Sequence, residues 1–289
     1  MAGSGSRAIL LLLLALFATD AASAISAMAG AATSASDVPD FSSDGAAWIK
    51  QDIDFQAPPS GGPGPVTYDP AHPFRLQGVD AQGREINMTQ RVADLSNPIL
   101  RPWVAETLRR VNARALADET PFTAMSACWP AGVPNILMLV EPMFFIQAPN
   151  EVLIVHQRDH QVRRVRLNAP HSKFVPPSWY GESVGRYDED DTLVVDTVGL
   201  SNRTFIDSYG TPHSDRLHVV ERYQLLDGGK RLQVLITVDD PVSFTTKWSA
   251  TVNYARTQGE LAESVCAENN MDHFRRRMFP IPTAARPDF

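Results

Sequence analysis

From residue 135 onward the chain is a succession of short β-branched and aromatic runs separated by turns. The runs are 136–140, 144–147, 152–157, 161–167, 182–187, 192–198, 217–226, 232–238, 245–254 and 260–266. Between them stand tight-turn sequences. Asp227-Gly228-Gly229 is one, because glycine accepts the positive φ that such turns demand, and Gln258-Gly259 plays the same part. Runs of this length at near-regular spacing predict an antiparallel meander. A meander of about ten strands loses its exposed edges by closing on itself or by folding into two layers.

The expected fold is therefore mainly β: an antiparallel up-and-down barrel or strongly curved sandwich, lipocalin-like in architecture, with an N-terminal arm and one helix packed outside. That helix is predicted over 102–116. Pro102 suits a first helical turn, and Val104, Leu108, Val111 and Ala115 form one apolar stripe. Arg109, Arg110 and Arg114 occupy its other face as a solvated surface. The expected organisation is a signal peptide at 1–24, a disordered or extended arm at 25–73 and a helix-containing lead-in at 74–130. A β-barrel domain at 131–272 and a tail at 273–289 complete it.

Arg7, an apolar stretch over 8–18 and the small residues Ala22-Ser23-Ala24 have the order of a secretory signal peptide with its cleavage site. The apolar run is well short of the roughly 20 residues that span a bilayer. No later segment is apolar enough to do so, which predicts a periplasmic or secreted protein without a membrane span. The formal net charge is −7. An acidic chain whose only basic run is Arg275-Arg276-Arg277 is a poor match for a nucleic-acid backbone, which needs clustered cations. Cys128 and Cys266 are the only cysteines. In an oxidising compartment they could pair, and two buried free thiols are the alternative.

Several phrases resemble a large group of secreted bacterial β-rich proteins: CWPAGVP at 128–134, HQVRRV at 160–165, ESVGRYDEDDTLVVDTVGL at 182–200, PHSDRLHVVERY at 212–223, TVDDPVSFTTKW at 237–248 and CAENN at 266–270. The resemblance spans about 98–270 in one order. It implies secretion and a β-rich fold, and it carries no catalytic assignment. The chain departs from the group's pattern at 188–191, where four acidic residues stand in place of a tighter turn containing glycine.

A barrel concentrates its function in a few polar groups among apolar walls. The informative residues are therefore ionisable ones inside strands: His156 in VLIVHQR, Asp196 in LVVDTV, Glu221 in HVVERY and Arg164 in QVRRVR. Alternation places His218, Val220 and Arg222 on one face of their strand and Val219, Glu221 and Tyr223 on the other. Each has a bland counterpart, since Asp196 or Glu221 paired with an arginine would be a strand-to-strand lock. His160, His171 and His213 add imidazoles, but no spacing matches a metal motif such as HExxH. No nucleophile elbow, phosphate loop or dinucleotide fingerprint is present, so neither metal nor cofactor is expected.

These residues predict a cavity for a small, largely apolar, aromatic molecule, with cofactor-free acid–base chemistry of a lyase or isomerase type. His156, His218, Asp196 and Glu221 are the acid–base candidates. Arg164 and Arg222 would anchor an anionic or phenolic group, and Trp179, Tyr180 and Trp248 would stack on a ring. A non-catalytic carrier is the alternative, and a structural envelope protein a third.

Overall fold

The computed structural model describes residues 38–42, 45–73, 91–117, 119, 128–189 and 191–269. The signal peptide expected at 1–24 and the tail expected at 273–289 lie outside the described residues.

Nine strands close into a barrel in chain order. They are β1 (Ala46–Lys50), β2 (Met143–Ala148), β3 (Glu151–His156), β4 (Gln161–Leu167), β5 (Glu182–Asp188), β6 (Thr192–Val198), β7 (His218–Leu226), β8 (Arg231–Asp239) and β9 (Trp248–Gln258). The closing strand comes from the segment expected to be an arm. β1 pairs with β9 along its whole length and with β2 at Trp48↔Met143. Trp48 is fully buried there, and its indole N–H donates to the Phe41 carbonyl. A five-residue strand in a Pro- and Gly-rich neighbourhood leaves too little periodicity to separate it from loop.

One seam differs from an up-and-down barrel. β4 and β5 are parallel, with Val165↔Ser183 and Leu167↔Gly185 in register. Parallel neighbours need a connection that returns to the starting end. Residues 168–181 make that crossover, entered at Asn168 (φ 53°) and left at Gly181 (φ 63°). A Cβ at Gly181 would run into the Val198 carbonyl.

Two other expected strands take other forms. Residues Asn135–Met138 make a turn of 3₁₀-helix whose Ile136, Leu137 and Met138 are buried against the barrel core. Short apolar runs of this kind fit a buried helical turn as well as a strand. The run at 260–266 does not join the sheet and leads into another 3₁₀ turn, Cys266–Asn269. Cys266 is disulfide-bonded to Cys128, with Cα atoms 5.5 Å apart and a sequence separation of 138. Its backbone N–H also donates to Asp159 Oδ1 at 2.7 Å. Closing so long a loop removes unfolded-state entropy on the order of 4–5 kcal/mol.

Helix α1 (Pro102–Leu116) is the one α-helix among the described residues. It buries Val104, Leu108, Asn112 and Ala115. Asn112 replaces the expected Val111 on that stripe because its amide both accepts from the Ala93 N–H and donates to the Ala93 carbonyl, each at 2.8 Å. No described helix is long and apolar enough to cross a membrane.

Alternation along the strands sets the inner wall, although Thr192, Val194 and Thr251 on the outer parity are also buried. Leu193, Val195, Val219, Val234, Ile236, Val238, Ala250 and Val252 face inward and are excluded from solvent. They belong to one continuous hydrophobic core inside the barrel.

Candidate functional site

The four acid–base candidates separate into two places. His156 and Glu221 point into the barrel, whereas Asp196 and His218 stand on its outer wall. The cause is the two-residue period of a strand: Val195 and Thr197 are the inward residues of β6, so Asp196 between them must face out.

Inside, Glu221 receives two hydrogen bonds from the Arg163 guanidinium, Nη1 to Oε1 at 2.9 Å and Nη2 to Oε2 at 2.6 Å. The Tyr223 hydroxyl donates to Glu221 Oε1 at 2.9 Å, and Arg163 Nη2 also reaches Thr197 Oγ1 at 3.3 Å. Thr197 and Ser183 share a hydroxyl contact of 2.9 Å. Burial, followed by the adjacent Glu221 carboxylate, pushes the Tyr223 phenol well up and keeps its proton on. His156 lies beside this network, and burial together with Arg163 lowers its pKa to about 3. Its ring is therefore neutral at ordinary pH. These groups have 0–4 % exposure, so they are fixed by one another and out of reach of a dissolved molecule.

The arginine drawn from the sequence as an inward candidate, Arg164, is the outward one. It pairs with Glu151 on the neighbouring strand while Arg163 turns in. Adjacent arginines on a strand take opposite faces, and the sequence around them, with valines on both sides of the pair, did not say which. Arg222 is also outward and donates to Asp188 Oδ2 at 3.2 Å. Trp248 is buried, its ring set edge-on against Phe244 at 5.7 Å. Tyr180 packs against the core and donates to Gln161 Oε1 at 2.6 Å. Trp179 sits on the crossover, its ring 5.5 Å from that of Trp129.

Outside, a second polar network joins five elements, β4 to β7 and the crossover. Asp196 Oδ1 on β6 is 2.9 Å from His218 Nε2 on β7 and 2.9 Å from His171 Nε2 on the crossover. On its other side, His171 Nδ1 is 3.1 Å from Glu182 Oε1 on β5. Glu182 also accepts from the Ser172 amide at 2.7 Å and the Ser172 hydroxyl at 2.5 Å, and it pairs with Arg166 of β4 at 2.9 Å. The Ser172 hydroxyl and amide, then His171 and Arg166, hold the Glu182 carboxyl down at about 2. Glu182 is thus an anion throughout the neutral range. The side chains of Asp196 and His218 keep 36 % and 37 % exposure, enough for a solute to reach them.

Hydrogen-bond bookkeeping assigns the protons. A carboxylate oxygen only accepts, so each Nε2 facing Asp196 carries a hydrogen. His171 has a carboxylate at both nitrogens, and only its imidazolium form can make both bonds. His218 bonds Asp196 through Nε2, so in the neutral form of this ring the lone pair lies on Nδ1. Among the described residues, no three His, Cys, Asp or Glu side chains are arranged to hold a metal ion.

His171, Glu182, Ser172 and Arg166 are members of this cluster that strand patterning did not single out. His171 lies in an irregular segment, and only the crossover's path brings it over β5 and β6. No protein-family model matches the chain, and no curated protein and no solved structure matches it.

Proposed function

We propose that this is a secreted or periplasmic protein whose outer-wall cluster performs cofactor-free acid–base chemistry on a small, largely apolar, aromatic molecule. The observation that carries the reading is the placement of two imidazoles on one oxygen of Asp196, with their remaining nitrogens in different environments. His218 Nδ1 is the base that takes a proton from the bound molecule, and Asp196 supports the charge that develops on the ring. His171, held between two carboxylates, is the group that returns a proton. One proton removed and one delivered is the balance of an isomerase or of a lyase step with a protonated leaving group. Phe174, 79 % exposed on the same crossover, and the Trp129–Trp179 pair supply apolar surface for a ring.

The sequence phrases shared with secreted bacterial proteins, together with the disulfide, support an extracytoplasmic setting. The test is incubation of the purified protein with a panel of phenolic and other aromatic compounds, with products followed by mass spectrometry. His218→Gln and His171→Gln should abolish conversion while binding, read by fluorescence quenching, persists. Conversion at the wild-type rate by either variant would refute the assignment. Binding without any conversion by the wild type would make the protein a carrier.

A further inference from the structure

A second site lies on the same wall, toward the opposite end of β7. Residues 57–62 form a strap pinned to β9 at both ends. Gln56 and Thr251 exchange two backbone hydrogen bonds of 2.9 Å, and the Ser249 N–H donates to the Pro63 carbonyl at 3.1 Å. Between these pins the chain arches away, turning at Gly61 (φ 73°) and Gly62 (φ 99°). The arch roofs a cleft of about 260 Å³ over the outer faces of β6 to β9.

The cleft is lined mainly by polar side chains. Its walls are amide and hydroxyl groups, with Gln224 and Gln233 on the strands and Ser60 on the strap. One cation, Arg222, stands at the side, and Leu235 and Pro59 supply apolar patches. Gln233 donates from Nε2 to Asn253 Oδ1 at 3.0 Å, and its amide oxygen is an acceptor on a residue that lines the cleft. Arg222 spends one N–H on Asp188, and its fork holds five. Acceptors, donors and small apolar faces side by side match a ring that carries hydroxyls at its rim and C–H bonds on its faces. The volume is below the roughly 300–1,000 Å³ of pockets for drug-sized ligands, so one ring is the right scale.

We infer that the strap and the β6–β9 wall form a binding site for a neutral saccharide ring, either as a free sugar or as one unit of a polysaccharide. The hydroxyls are bound by Gln233, Arg222 and Ser60, and a C–H face rests on Leu235. The site is separate from the histidine cluster. His218 and Arg222 lie on the same face of β7 four residues apart, which is about 13 Å. The inference stands on the cleft alone and does not depend on the acid–base reading.

The experiment is titration of the isotope-labelled full chain with glucose, galactose and N-acetylglucosamine, and with short oligosaccharides of each, read as amide chemical-shift changes. At least one sugar is expected to move the Gln224 and Gln233 side-chain amides and the strap backbone, leaving the His171 and His218 signals in place. Gln233→Leu should weaken binding about tenfold. Ser60→Phe, a substitution at an exposed strap position that fills the cleft, should remove binding while the thermal midpoint stays at the wild-type value. Tighter binding with chain length identifies a polysaccharide, and equal affinity a free sugar. Absence of shifts with every sugar, or undiminished binding by Ser60→Phe, overturns the proposal.

Discussion

Arg163 on β4 and Glu221 on β7 meet inside the barrel through two parallel hydrogen bonds of 2.9 and 2.6 Å, although two strands separate their own in the sheet. Neither side chain has solvent contact above 1 %. The pair therefore spans the interior rather than decorating one edge, and it fixes where β4 stands relative to β7. Desolvating two charges offsets much of their attraction, so the pair specifies geometry more than it adds stability.

Removing one partner should be far more damaging than removing both. Glu221→Ala strands a buried guanidinium and is expected to cost about 3–5 kcal/mol in urea unfolding. The double variant Arg163→Met/Glu221→Leu is expected to regain most of that loss. A double variant no more stable than Glu221→Ala would show that the pair stabilises the fold beyond what apolar side chains supply.

Asp207 gives a pH dependence of one sign. Burial raises its carboxyl from 3.8 to about 6, against the N–H groups of Tyr209 and Thr211 that donate to Oδ1. The folded state binds the proton more tightly than the unfolded chain. The resulting stability is complete below pH 3.8 and is lost as pH rises through about 6. Asp207→Asn keeps both acceptor contacts without the charge. Its stability relative to wild type should increase by roughly 1–3 kcal/mol between pH 4 and 7, measured by unfolding at each pH.

His156 works in the opposite direction. Its pKa is 6.5 in the ordinary case and about 3 in the fold, because burial and then Arg163 disfavour the imidazolium. Here the unfolded chain binds the proton more tightly. Stability is complete above pH 6.5 and is lost as pH falls toward 3. His156→Gln should flatten this acid limb in thermal melts between pH 6.5 and 4. An unchanged acid limb would place the titration elsewhere.

Much of the barrel was legible in the chain. The β-branched runs 152–157, 161–167, 192–198 and 217–226 correspond closely to β3, β4, β6 and β7, because a half-buried strand imposes its period on the residues that form it. The turn at Asp227-Gly228-Gly229 joins β7 to β8 with all three residues at positive φ. The helix was equally plain, since an apolar stripe at helical spacing has one stable arrangement against a core. β1 was not, because its strand character comes from pairing with β9, some two hundred residues later.

The candidate site shows the same division more sharply. The sequence by itself determined that Asp196, Glu221 and His218 are charges or imidazoles within or at the start of strands, and that His218 and Glu221 lie on opposite faces of one of them. Only the tertiary structure decided that Glu221 is sealed in by Arg163 and Tyr223, while Asp196 and His218 stand outside with His171 and Glu182. Alternation relates residues within a strand, but which face becomes the interior depends on barrel closure. Bringing His171 to Asp196 depends on the parallel crossover. Both are contacts between distant parts of the chain, and no local pattern encodes them.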